Sequence, residues 1–144
     1  RSSDLHAGHA MELDKAMIVA GLGCRKGVTE AQVLDAIHAG LAHYRVPLWE
    51  VEALAVPEQK TSEPAIHAAA QSLGLVVLVI GRGCLEREAD RTLSKSQASL
   101  RATGTPSASE GAALAAIGAR ARLLGPRVAL GPVTCALASD GAFP

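Results

Sequence analysis

The apolar positions of this chain fall into short continuous runs and longer periodic ones, and the two alternate. Met17–Gly23 is a strand-sized run that enters a glycine-rich turn, Gly21-Leu-Gly-Cys-Arg-Lys-Gly27. Behind it, Thr29-Glu-Ala-Gln32 has the spacing of a capping box, in which a hydroxyl and an amide side chain satisfy free N–H groups at a helix start. Val33, Leu34, Ile37, Leu41 and Tyr44 follow at helical spacing, which predicts an amphipathic helix over Thr29–Tyr44 that gives way by Pro47. Val51–Val56 is a second strand, followed by the loop Pro57–Pro64. There Ser62 offers a cap, with Glu63 and Pro64 in the first turn of the next helix, where an acid and a proline are both favoured. That helix is predicted to run to Leu73 and to stop at Gly74.

Leu75–Ile80 is an unbroken, branched apolar run, predicted to be a central parallel strand buried on both faces. A polar stretch, Gly81–Ser96, carries Arg82, Arg87, Arg91 and Lys95. Ser96–Thr103 suits a short helix closed by Gly104, and Ser107-Ala-Ser-Glu110 is a second capping box heading an alanine-rich helix to about Gly118. Alanines and Gly111 let this helix lie close to a sheet. Ala121–Leu124 and Val133–Ala138 complete the pattern as two more strands joined through a Gly/Pro-rich turn region. The order implies an α/β fold: a single domain over 16–139 with a mixed, mostly parallel sheet of about five strands, helices on its faces and a C-terminal hairpin. Arg1–Lys15 has no sustained period and reads as a tail, the part before Met11 as an expression remnant; residues 140–144 are a second short tail. There are no internal repeats.

Composition narrows the function classes. A chain of 144 residues can bury a core without staples. Its 14 basic and 14 acidic residues balance, and its aromatic content is 2 %, which argues against a nucleic-acid partner and against a base-stacking surface. Cys24, Cys84 and Cys135 lack the paired spacing of a zinc site, His38 and His43 have no partner at ligand spacing, and His6 and His9 fall in the N-terminal tail read as a remnant, so no metal is expected. An odd cysteine count without a secretory leader fits a reducing cytoplasm. No apolar run approaches the roughly 20 residues that cross a bilayer, so no membrane partner is expected, nor any cofactor.

Anion binding must then come from local clustering. In open α/β sheets ligands bind beyond the carboxyl ends of the strands, and three segments leave such ends: Gly21–Gly27, Pro57–Glu63 and Gly81–Ser96. They bring Arg25, Lys26, Lys60, Glu63, Arg82 and Ser96 toward one rim, basic although the chain is neutral. Turn amides and a helix start add partial positive charge. Such a rim suits a ligand with several carboxylates. Each residue also has a plainer role. Glu63 favours a helix dipole, Ser96 caps a helix, and Glu110 completes a capping box. Cys24 is either a thiol activated by neighbouring cations or simply a buried one. Gly21, Gly23 and Gly27 are spaced one residue longer than the usual dinucleotide fingerprint, and no acid closes the second strand, so a nucleotide-binding protein is the weakest alternative.

The turn Gly21-Leu-Gly-Cys-Arg-Lys-Gly27 resembles the signature that opens the CobE family and the C-terminal domain of CbiG, both of cobalamin (vitamin B12) biosynthesis. Lys60-Thr-Ser-Glu63 resembles the family's K-x-x-E element, and Ser96 holds its serine position. Gly104 with Ser109-Glu110 and Ala112-Ala113-Leu114, and the strand Val133–Ala138, are similar to its later segments. The likeness spans roughly Met17–Ala138. It implies a precorrin or corrin intermediate as ligand, with other enzymes of that pathway as candidate partners. CbiG proteins open the δ-lactone of cobalt-precorrin-5A and release its two-carbon fragment; this chain has no counterpart of their N-terminal part.

A precorrin places carboxylates around an apolar macrocycle. Gly21, Gly23, Cys24, Arg25, Lys26 and Gly27 are therefore candidate binding residues, with Ser96 and Glu110 at matched family positions, and Leu22, Val28 and Leu85 as an apolar floor. Glu63 is the candidate general acid or base, and Lys60 the residue that holds a carboxylate or polarises a lactone carbonyl. The expected function is binding of a polycarboxylate precorrin, assisting lactone opening or fragment release. The alternative is a non-catalytic carrier of the same compound.

Overall fold

The computed structural model describes residues 17–60 and 62–141. The N-terminal tail with His6 and His9, Thr61 and the last three residues lie outside them. Six strands form one sheet: β1 (Ile18–Cys24), β2 (Val51–Pro57), β3 (Val76–Ile80), β4 (Arg122–Leu123), β5 (Val128–Leu130) and β6 (Val133–Ser139). The order is β3-β2-β1-β6-β4, with β5 also paired to β6. β1 pairs in parallel with β2, and β2 with β3, while β6 runs antiparallel to β1, β4 and β5. The fold is the mixed α/β sheet expected, with β5 and β6 as its C-terminal hairpin.

The described residues form five helices: α1 (Glu30–His43), α2 (Pro64–Leu73), α3 (Arg82–Arg87), α4 (Gln97–Thr103) and α5 (Ala108–Ile117). The main core lies between α1, α2 and one face, where Leu22, Val33, Ile37, Leu54, Val56, Ile66 and Leu137 are all but closed to solvent. On the other face α5 packs across β1, β2 and β6. That approach depends on Gly21, because a Cβ there would overlap the Ser109 carbonyl oxygen and lie 2.8 Å from the Ala113 nitrogen. The close contact comes from the strand's glycine. Gly111, expected to bring the helix down, instead faces Thr105 and Leu85.

Local signals at helix ends hold where neighbouring residues alone decide them. Thr29 Oγ1 accepts from the Gln32 amide at 3.1 Å and Gln32 Oε1 from the Thr29 amide at 3.0 Å, a complete capping box. Gly74 and Gly104 adopt the left-handed conformation that closes α2 and α4. At α2 the cap residue is Glu63 rather than Ser62, and its carboxylate does not bond its own helix.

Three expectations are corrected. β3 is an edge strand, and Val76, Leu78 and Val79 are 62 %, 37 % and 52 % exposed, because nothing pairs beyond it among the described residues. The polar stretch after it contains α3, with Leu85 fully buried against α5. Ser107 precedes α5 as its cap residue but makes no side-chain cap bond, so the second capping box does not form. Among the described residues no helix is long and apolar enough to cross a membrane.

Candidate functional rim at the ends of the parallel strands

β1, β2 and β3 are parallel, so the segments leaving their carboxyl ends share one side of the sheet. The first, Arg25–Val28, is exposed or half-buried and turns at Gly27, whose φ of 77° suits glycine. It is tied on two sides. The Arg25 amide donates to the Pro132 carbonyl at 3.1 Å, in the turn between β5 and β6. The Gly27 amide donates to Glu63 Oε1 at 3.3 Å. Glu63 therefore braces the glycine turn against the start of α2. The Arg25 and Lys26 side chains make no bond to another described residue.

The second segment is a 3-10 turn, Glu58–Lys60. Its Gln59 side chain donates to the Ala102 carbonyl, the same oxygen that Arg82 Nη1 reaches at 3.1 Å. Arg82 also pairs with Glu86 at 3.1 Å. The last turn of α4 thus forms a third side of the rim, held by Gln59 and Arg82. Sequence reasoning missed Gln59; its only advance signal was a polar side chain in a short loop beside Lys60.

Cys24 sits where the segments meet. Its thiol is half-buried, and burial pushes its pKa up; the Lys60 ammonium draws it down and the Glu63 carboxylate pushes it up again. The net shift is upward, so the thiol is protonated near neutrality, and the activated-thiol alternative fails on desolvation. The same interactions put Lys60 and Glu63 both within electrostatic reach of Cys24. Arg25 follows Cys24 directly, and its amide is held by Pro132.

Other candidates stand elsewhere or are already occupied. Gly21 is buried under α5, and Gly23 faces Thr134 Oγ1 at 2.9 Å from where a Cβ would sit. Ser96 Oγ accepts from the Ser99 amide as the cap of α4. Glu110 is closed to solvent and wholly committed: Oε1 accepts from the Leu93 and Ser94 amides at 2.7 and 2.8 Å, and Oε2 from Ser94 Oγ at 2.7 Å and the Arg127 amide at 2.8 Å. Burial alone would raise its pKa, but the bonds from Ser94, Arg127 and Leu93 outweigh it and hold the carboxyl below its ordinary value. Glu110 is thus a structural clamp rather than a ligand contact. Leu22 and Leu85 are buried and offer no apolar floor; Val28 remains half-exposed.

A hollow of about 550 Å³ lies between α3 and the end of α5, lined by Cys84, Arg87, Glu88 and Arg91 of the segment that leaves β3, with Ala115 and Gly118 among others. None of its lining residues is a predicted site residue. Among the described residues no group of three His, Cys, Asp or Glu side chains is arranged to hold a metal.

The sequence profile of the family described as "Cobalamin synthesis G C-terminus" matches residues 18–138. A curated relative, Protein CobE of Sinorhizobium sp, is 31 % identical over 132 residues, which cover 90 % of this chain and 86 % of that one. The crystal structure of a CobE of the cobalamin pathway superposes with a TM-score of 0.81 at 33 % identity, covering 86 % of this chain and 90 % of that one. The cobalamin biosynthesis protein chiG from Agrobacterium tumefaciens str. C58 superposes at 0.68 with 42 % identity, covering 85 % and 97 %. The chain belongs to the cobalamin synthesis G C-terminus family, with a role in cobalamin biosynthesis.

Proposed function

We propose that the rim binds a carboxylate-rich precorrin or corrin intermediate of the cobalamin pathway in the cytoplasm and passes it on without altering it. The observation that carries this reading is the brace from the Gly27 amide to Glu63, beside Arg25 and Lys26 side chains that bond no described residue. The backbone is fixed while the cations stay available. Arg25 can take a carboxylate through two parallel hydrogen bonds, and Lys26 and Lys60 meet others as point charges. Val28 supplies apolar contact to the macrocycle edge. The Cys24 thiol, protonated near neutrality, is no nucleophile there, and Glu63 already accepts a backbone hydrogen bond; both favour a carrier.

One observation keeps lactone opening as a second reading. Lys60 and Glu63 both act on the Cys24 thiol, which puts on one rim a cation able to polarise a carbonyl and a carboxylate able to transfer a proton. In that case Glu63 leaves Gly27 when the ligand arrives.

Absorbance titration of the protein with a free-acid corrin and with its methyl ester tests the binding. The acid is expected to bind and the ester not. Arg25→Gln and Lys60→Gln should each weaken the acid roughly ten- to a hundredfold, since a charge-assisted contact is worth about 1.5–3 kcal/mol. Equal affinity for acid and ester would refute the proposal. Incubation with the lactone intermediate separates the two readings: turnover by the wild type that Glu63→Gln abolishes, with binding retained, establishes the enzyme.

A further inference from the structure

Pro64–Gly81 contains 18 residues without one Asp, Glu, Lys or Arg, the longest such stretch in the chain. At the average charged content of 19 %, it should carry about three. Burial explains only part of this. Pro64, His67, Gln71 and Ser72 are exposed on α2 and Gly74 just after it, and Val76, Leu78 and Val79 along β3. Those of β3 lie on one edge of the sheet, where the strand has a neighbour on one side only.

Edge strands are normally protected by shortness, charge, proline or a bulge. The opposite edge has such protection: β4 and β5 are two and three residues long, and Arg122 stands in β4. β3 has none of it. Five branched apolar residues, Val-Val-Leu-Val-Ile, present an open row of backbone donors and acceptors, and the β2–β3 register runs without a shift.

We infer that β3 pairs with β3 of a second copy of this chain, antiparallel about a two-fold axis near Leu78, its central residue. A two-fold normal to the sheet makes equivalent edge strands antiparallel, so one strand supplies both halves of a self-complementary contact. Absence of charge selects this occupant. β3 itself carries no charged side chain that would select a different partner, whereas an identical edge meets it without repulsion and with matching apolar side chains. The two sheets become continuous. The carboxyl ends of the parallel strands then face opposite ends of the dimer, leaving both rims open. The exposed residues on this edge are fewer than the roughly 20–30 a side of a standard interface, so the dimer is weak and concentration-dependent. The inference does not rest on the proposed ligand.

Sedimentation velocity of the full chain, from low micromolar to hundreds of micromolar, tests it. The wild type is expected to shift from monomer to dimer across that range. Leu78→Lys and, separately, Val76→Lys should remain monomeric throughout, with unchanged circular dichroism and melting. Val76 is 62 % exposed, so its substitution tests pairing even if Leu78→Lys fails to fold. Leu78→Cys should give a disulfide-linked dimer on mild oxidation. A wild type that stays monomeric, or a dimer that persists with either lysine, overturns the inference.

Discussion

The Gly27 amide and the Glu63 carboxylate meet at 3.3 Å across 36 residues of sequence, joining the glycine turn after β1 to the start of α2. Glu63 therefore has two effects that one substitution separates. As an acceptor it holds the turn; as a charge it raises the pKa of Cys24, which burial has already raised and Lys60 lowers. In Glu63→Gln the thiol should ionise more readily, and alkylation at mildly alkaline pH should run several-fold faster. Lys60→Gln should slow it. Peptide-resolved mass spectrometry follows Cys24 apart from Cys84, and Cys135, buried with a pKa pushed up to about 12, serves as the unreactive reference. Amide exchange at Gly27 should rise roughly fivefold in Glu63→Ala, the loss of about 1 kcal/mol of hydrogen bonding. An unchanged Cys24 rate in both charge variants would mean that Lys60 and Glu63 do not face it.

Gly21 has a structural task that its place in the glycine turn conceals. Its missing Cβ is the space occupied by the Ser109 carbonyl and the Ala113 nitrogen, both backbone atoms that cannot rotate away. Gly21→Ala should force α5 off the sheet and cost more than about 3 kcal/mol, beyond the usual penalty of overpacking. Gly23→Ala should cost much less, because its nearest contact is the rotatable Thr134 hydroxyl. Urea denaturation of the two variants measures the difference. If ligand contact alone explained these glycines, both variants would keep wild-type stability.

Features decided by adjacent residues were legible beforehand. The capping box at Thr29 and the closing glycines 74 and 104 need only near neighbours, and all three form. Ser107-x-x-Glu110 has the same spacing as Thr29-x-x-Gln32, yet the Glu110 carboxylate is taken by Leu93, Ser94 and Arg127, distant in sequence. An unbroken apolar run identifies β3 as a strand, but the run is the same in an interior strand and in an edge awaiting a partner. That Lys60 and Glu63 both act on Cys24 followed from the rule that loops leaving the carboxyl ends of parallel strands share one side of the sheet. The part played by Gln59 and Ala102 did not, because a backbone carbonyl on α4 has no signature in sequence.

Glu110 makes acid stability a test of the fold. Four donors converge on a carboxylate closed to solvent, and they hold its pKa below the value it takes in the unfolded chain. A carboxyl depressed on folding stabilises the native state above the unfolded pKa, near 4.3 for glutamate, and that contribution is lost as pH falls through the folded value. Urea midpoints for the wild type should therefore decline below about pH 5. Glu110→Gln keeps the shape but places an NH2 donor where one carboxylate oxygen stood. It then confronts either the Leu93 and Ser94 amides or the Arg127 amide with another donor. At neutral pH the variant should lose about 2–4 kcal/mol, from an unsatisfied buried group and weakened bonds at its neighbours. Its midpoint should also vary less than the wild type's between about pH 6 and pH 3, because one linked proton is gone. The two curves should converge toward acid, where the wild-type carboxyl is itself neutral. Parallel curves would show that Glu110 has the same pKa folded and unfolded, and that its four bonds do not favour the charged form.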